Sequence, residues 1–407
     1  MMNAPTPPIF TKDLSGTDPI PDEGIARALR LLQNGRLHRY GEAKGDELEV
    51  VELEREYAAY MGMDYCVGLN SCGCALFVAL KSAGVQPGDK VLVNAFTLAP
   101  VPGAIAHCNA DAVLVEITND YLVDLADLRA KAEASGAKYL LLSHMRGHIA
   151  DMDAVTDLCA ELGITMVEDC AHTMGARWDG RLLGTFGAVA CFSTQTFKHI
   201  NSGEGGLLVT NDEDIAAQAI LYSGSYMLYM QHGARPDPEV FERWKGTTPN
   251  FSMRMSNLAA AILRPQLSLL ADRAASWNER YIQLAERFAE IPHVVLPERG
   301  PKEEYVASSI QFNLVDLTPL QMDAFQSLCA DRGVFLKWFG REEAVGFTSS
   351  HHNWAYMNET ATLPQTDAVM AGLFDMRIPL SLTADDVALI AQIMRKSMMK
   401  VVGHDGA

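Results

Sequence analysis

The segment from Val167 to Gly206 gathers an acid, a histidine, a serine, a lysine and a glycine cluster within forty residues. It overlaps T-M-V-E-D-C-A-H-T-M-G-A (Thr165 to Ala176), where a short apolar run ends in Glu168-Asp169. That pattern predicts carboxylates at the C-terminal end of a buried parallel strand, where ligands bind in open α/β sheets. V-A-C-F-S-T-Q-T-F-K-H-I-N-S-G-E-G-G-L-L-V-T (Val189 to Thr210) then sets Ser193 and Lys198 between two hydrophobic strands, the second over Leu207 to Thr210. A lysine among apolar neighbours such as Phe192 and Phe197 is pushed from its reference pKa of about 10.4 towards the neutral, nucleophilic form. Imine formation with an aldehyde cofactor needs such an amine. A pyridoxal ring also needs a carboxylate against its pyridinium nitrogen, and Asp169 is the candidate. The cofactor phosphate needs backbone N–H groups and small hydroxyls at a helix N-terminus; Ser193 and Asn70-Ser71-Cys72-Gly73-Cys74-Ala75-Leu76 offer both. Taken singly, Asp169 reads as a helix cap, Lys198 as a surface residue, Gly203-Glu204-Gly205-Gly206 as a turn and His172 as a core histidine. Their ordered coincidence favours pyridoxal 5'-phosphate (PLP).

The same motifs, with Gly35-Arg36-Leu37, Arg254-Met255-Ser256 and Arg377-Ile378-Pro379-Leu380, run in order over nearly the whole chain. In this the chain resembles the DegT/DnrJ/StrS family of PLP-dependent sugar aminotransferases. The resemblance implies the aspartate aminotransferase fold (fold type I): an α/β large domain with a mostly parallel sheet covered by helices, and a smaller α+β C-terminal domain. It implies Lys198 as the internal aldimine lysine, Asp169 as the pyridinium partner, His172 beside the ring and its 3-hydroxyl, and Ser193 on the phosphate. Amino transfer from glutamate or glutamine to a keto-sugar or related cyclic ketone follows, by a homodimer with shared active sites. Lys198 argues against the sugar dehydratases of the family, which carry histidine there. The alternatives are another PLP reaction on an amino acid (decarboxylation, elimination or cyclisation), or binding of PLP or an aminosugar without turnover, which would not need Lys198 as a base.

Four positions depart from the family pattern. Ser71-Cys72-Gly73 stands where Ser-Gly-Thr is common, so backbone N–H groups must replace a threonine hydroxyl. Leu98 stands where an aromatic stacks on the cofactor ring. Ser252 stands where an asparagine reaches the adjacent subunit's phosphate, with Asn250 two residues earlier. Arg146 replaces an aromatic, for a substrate carboxylate or phosphate or for a surface salt bridge. Arg254, Lys337, Trp338 and Arg377 are further candidates for contact near the cofactor or substrate, with helix capping the other reading of Arg254.

The 407 residues exceed what one core organises, so two domains are expected: an arm and helix over 1–45, a large PLP-binding domain over 46–270 and a small domain over 271–407. The proline-rich first twenty residues predict an extended arm of the kind that packs on a partner. Strand and helix signals alternate from Tyr65 to Glu168, implying a mostly parallel sheet with helices on both faces. A helix over Leu258 to Leu270, kinked at Pro265, should lead into a long one over 271–291 that joins the domains. Tyr222 to Trp244 reads as an aromatic, loop-like interface or substrate flap. The net charge of -18 argues against nucleic acid or an anionic membrane as partner. Eight cysteines scattered in apolar segments read as reduced thiols. Cys72-Gly73-Cys74 is no zinc pattern and His351-His352 reads as an exposed loop, so no metal is expected. Neither a leader nor a run of ~18 apolar residues is seen, which predicts a cytoplasmic protein.

Overall fold

The computed structural model describes residues 8–41, 48–343, 345–346, 349–357 and 361–403. The expected boundary at 45/46 and the first seven residues of the arm lie outside the described residues. Two helices, α1 (Asp22–Asn34) and α2 (Glu49–Met61), precede the first sheet strand, β1 (Tyr65–Leu69). Strands and helices then alternate as the apolar runs predict: α3 (Cys72–Ser82), β2 (Lys90–Asn94), α4 (Pro100–His107), β3 (Asp111–Val115), α5 (Leu125–Ser135), β4 (Tyr139–Ser143), α6 (Met152–Leu162) and β5 (Thr165–Asp169). The turn chemistry is local. Asp124, Asp151 and Asp212 accept backbone N–H groups at helix starts, and Gly136 and Gly163 end α5 and α6 in the left-handed conformation. After a small hairpin, β6 (Arg177–Trp178) and β7 (Arg181–Leu182), come β8 (Val189–Ser193), β9 (Gly206–Thr210), α7 (Glu213–Gly224), α8 (Pro238–Trp244), α9 (Asn257–Leu267) and α10 (Leu270–Phe288).

The seven-stranded sheet has the order β1-β9-β8-β5-β4-β2-β3, with β9 alone running against the rest. Residues alternate between its faces. Leu92, Leu140, Leu142, Met166 and Phe192 join one buried cluster, and Val91, Val93, Leu141, Val167 and Cys191 the other. The C-terminal ends of the parallel strands bring Leu69, Asn94, Ser143, Asp169 and Ser193 to one edge, and β9, reversed, enters there with Gly206. That edge positions the site.

Beyond α10, β10 (Val294–Val295), β12 (Ser309–Leu314), β13 (Lys337–Trp338) and β14 (Leu373–Arg377) form an antiparallel sheet in the order β10-β12-β14-β13. The intervening β11 (Glu303–Glu304) pairs back onto β6. Helices α11 (Pro319–Ala330), α12 (Pro364–Ala371) and α13 (Ala384–Val401) complete the chain. Among the described residues no helix is long and apolar enough to cross a membrane.

Three expectations are corrected. The helix predicted to run through Leu270 stops at Leu267, with Pro265 in its last turn, and the long helix spans Leu270–Phe288. Half of the aromatic stretch from Tyr222 is helical, in the end of α7 and in α8, where Tyr229 stacks on Phe241. The described part of the arm packs on its own chain: Phe10 donates its N–H to the Arg332 carbonyl, Lys12 pairs with Asp386, and Leu14 is buried.

Candidate active site

The parity of β5 separates its two carboxylates. Glu168 shares the face of Met166 and accepts the N–H groups of Gly184, Phe186 and Gly187, a structural role. Asp169 shares the face of Val167 and meets a cavity of about 550 Å³ at the sheet edge. Its Oδ2 accepts the Ser143 hydroxyl (2.7 Å), whose oxygen in turn accepts the Thr97 hydroxyl (2.7 Å), and its Oδ1 accepts the Ala171 N–H. Burial raises the Asp169 carboxyl pKa, while the Ser143 and Ala171 hydrogen bonds and the Lys198 charge restrain the rise. Asn94 fixes Ser143 by bonding its N–H and its carbonyl.

Lys198 sits on the loop between β8 and β9 with Nζ 2.7 Å from His172 Nε2. Burial lowers its pKa to about 8, Arg146 adding to the shift while Cys72 and Asp169 oppose it. Burial and the neighbouring Lys198 charge hold His172 well below its ordinary value, so the imidazole is neutral. The opposite wall is the start of α3. Ser71 caps it by accepting the Cys74 N–H (3.1 Å), and Ser71, Cys72 and Gly73 line the cavity. A helix start presents unbonded N–H groups and a partial positive charge to an anion. Burial drives the Cys72 thiol far up, which keeps it neutral and unreactive. Gly206 belongs here for a steric reason: a Cβ on it would lie 2.5 Å from the Ser71 carbonyl oxygen.

The cavity brings together Ser71, Cys72, Gly73, Leu98, Arg146, Asp169, His172, Ser193 and Lys198. Leu98 lies on the wall, supplying an aliphatic contact. Arg146 adopts left-handed backbone angles (φ 57°) and pairs with Asp375 on β14 at 2.8 Å. Both partners are buried, so the expected surface salt bridge is instead an internal one that still borders the cavity. Three predicted residues fall elsewhere. Lys337 is held by the Val345 carbonyl, while Ser252 and Arg254 sit with exposed Tyr226, Arg254 donating to the Gly224 carbonyl. Trp338 is buried against Phe374. His351 and His352, expected in an exposed loop, form a short helical turn with both Nε2 atoms on Asp367 Oδ1 and the His351 side chain buried. Sequence reasoning missed Ser143 and Thr97. Their only signal was position at or just beyond the ends of neighbouring apolar runs.

The family model for the DegT/DnrJ/EryC1/StrS aminotransferase family matches residues 20–395. The chain belongs to that family. Curated relatives include the dTDP-3-amino-3,4,6-trideoxy-alpha-D-glucose transaminase of Streptomyces venezuelae, 33% identical over 74% of this chain and 75% of that protein. The 3-amino-5-hydroxybenzoate synthase of Amycolatopsis mediterranei (strain S699) is 32% identical over 67% of this chain and 66% of its own length. A crystal structure of 3-amino-5-hydroxybenzoic acid synthase superposes with a TM-score of 0.81 at 25% identity, covering 98% of this chain and all of that one. This DegT/DnrJ/EryC1/StrS member is thus an enzyme of the aminotransferase class with the fold type I architecture. Amino transfer has the support of the family and these relatives; decarboxylation, elimination and cyclisation have none from them.

Proposed function

We propose that the chain is a PLP-dependent aminotransferase that moves an amino group from glutamate or glutamine to a keto-sugar or related cyclic ketone. The observation that carries the reading is that Asp169, His172, Lys198 and the start of α3 all border one cavity. These residues fit the cofactor. The first turn of α3 with Ser193 would take the phosphate, Asp169 the ring nitrogen, His172 and Leu98 the ring, and Lys198 the aldehyde carbon. PLP bound there supplies an electron sink for the carbon that gains or loses the amino group.

The protein groups do the rest. Lys198, with its lowered pKa, offers a neutral amine to the aldehyde and, once displaced by the donor, moves a proton to and from the substrate carbon. Neutral His172, 2.7 Å away, accepts a hydrogen bond from the Lys198 ammonium and aims Nζ. The hydroxyl relay from Thr97 through Ser143 turns the Asp169 carboxylate so that it holds a proton on the ring nitrogen. An absorbance spectrum with PLP tests this. A visible band should form in the native protein and be missing in Lys198→Ala, and one amino donor should bleach it. A band that no donor bleaches, with carbon dioxide or an olefinic product released instead, would overturn amino transfer.

The same reading assigns residues 1–45 to an arm and helix, 46–270 to the large domain and 271–407 to the small domain. It also makes the enzyme a cytoplasmic homodimer with shared sites. Ser252 and Arg254 lie outside their own cavity on a surface where Tyr226, Met227 and Phe251 are exposed, as residues reaching a neighbour's site would. A fully active monomer in sedimentation at micromolar concentration would end that assignment.

A further inference from the structure

Beside the main cavity lies a second one of about 60 Å³, sharing Arg146, Phe197, Lys198 and Arg377 with it. Its remaining walls include Arg273, His199 and Trp277, and the arm residues Gly16, Thr17 and Asp18 close it from outside. Three guanidinium groups and the Lys198 amine therefore border a void facing one carboxylate, Asp18. Asp375, the next nearest acid, is already bonded by Arg146 and Gln311. This is the reverse of the chain's overall sign, -18.

A second observation points to a missing ligand. His199 is 2% exposed, and neither of its ring nitrogens has a hydrogen-bond partner. Buried polar groups are almost always bonded, and Trp277, edge-on at 5.2 Å, helps to fix this ring. Burial, reinforced by the Lys198 charge, pushes the His199 pKa down to about 3, so the ring is neutral and keeps one N–H to donate. Arg377 is likewise held in place, its guanidinium stacked 3.7 Å from the Phe197 ring centre. The void equals the liquid share of roughly two water molecules at ~30 Å³ each. That suits a carboxylate and is tight for a phosphate ester. The flat fork of arginine matches a carboxylate in two-point fashion.

We propose that this void is a carboxylate subsite lined by Arg146, Arg273, Arg377 and His199, and that the ketone acceptor is a carboxylic acid. The proposal rests on the aminotransferase reading and deepens it. The acceptor's carbonyl faces Lys198 in the large cavity while its acid group enters the small one. An amino donor, bound in turn, places its own carboxylate there.

The test uses the PLP-loaded protein and two probes of one shape, cyclohexanecarboxylate and its neutral amide, titrated by calorimetry. The acid should bind at least about tenfold more tightly than the amide. Arg377→Gln should erase the preference, and Asp18→Asn, which removes the one opposing carboxylate, should strengthen acid binding. Equal binding of the two probes, or an acid preference unchanged in Arg377→Gln, overturns the subsite. Tighter binding of inorganic phosphate at the same place overturns the carboxylate assignment. In turnover, enzyme first converted to its amine form should regain the visible band faster with 3-oxocyclohexanecarboxylate than with the corresponding amide, and equal rates would overturn the acceptor class. Failure of every donor to give the amine form would count against amino transfer itself, while the binding titration still judges the subsite.

Discussion

Lys198 illustrates how one residue's chemistry is set by its surroundings. A pKa near 8 before cofactor is bound means that the fraction of neutral amine rises about tenfold per pH unit below that value and then levels. Loading of PLP onto the cofactor-free protein should therefore accelerate from pH 6 to 8 and flatten above, as read by stopped-flow appearance of the visible band. A rate independent of pH over that range would mean that the amine is not the group that limits capture. The lysine, the aspartate and the histidine were legible in the sequence because each lies in one short segment with a distinctive order. Ser143 and Thr97 were not, since they reach Asp169 only through a sheet in which β4 and β5 are neighbours and β2 lies beyond β4. The pairing of Ser143 with Asp169 is a fact of register. Arg146 was visible as an oddity, but its bond to Asp375 joins residues 229 positions apart, and no local pattern encodes that.

Elements carry the second layer, and β9 is the instructive case. The glycines before it look like a plain turn, yet they differ in what surrounds them. Gly206 has the Ser71 carbonyl and the Cys72 nitrogen within 2.7 Å of any added Cβ, whereas Gly203, at φ +85°, has open space. Gly206→Ala should push β9 away from the start of α3, weakening PLP binding by at least about tenfold, with roughly 1–3 kcal/mol of stability lost to overpacking. Gly203→Ala should cost about 1 kcal/mol from backbone strain alone and leave PLP affinity unchanged. Fluorescence titration with PLP beside thermal melts separates the two, and equal PLP affinity in both variants would mean that the approach of β9 to α3 does not shape the phosphate cradle. The strand and helix alternation through β5 was readable because periodicity and caps are local. Element ends set by tertiary contact were not: α9 stops at Leu267, where Gln266 turns to bond Asn201, and the arm follows its own small domain through Phe10 against Gly333.

At the scale of the whole molecule, a buried ion cluster ties distant segments together behind the first strand. Arg39 and Glu54, both fully buried, make two parallel hydrogen bonds of 2.9 Å. The same carboxylate accepts the N–H groups of Gly68 on β1 and of Gly233. His232 completes it: a neutral ring donates from Nδ1 to Glu54 and accepts the Tyr40 hydroxyl at Nε2, 2.9 Å away. Burial alone would raise the Glu54 pKa, but Arg39 and His232 overcome it and hold the carboxyl well below its ordinary range. Burial and Arg39 lower His232 to about 4. Both shifts have the same consequence for folding. The unfolded chain binds a proton at His232 below about 6.5 and at Glu54 below about 4.3, where the folded protein resists both. The cluster's contribution is thus whole above pH 6.5, falls as His232 titrates in the unfolded state between 6.5 and 4, and falls further as Glu54 does so below 4.3. Wild-type melting temperature should drop over the first interval, and His232→Gln should flatten that interval relative to wild type. Glu54→Gln strands the Arg39 charge in the interior and should cost about 3–5 kcal/mol at neutral pH. A wild-type profile that does not respond to His232→Gln between pH 6.5 and 4 would mean that the ring is not held neutral in the folded protein, and that the cluster joins these segments by shape alone.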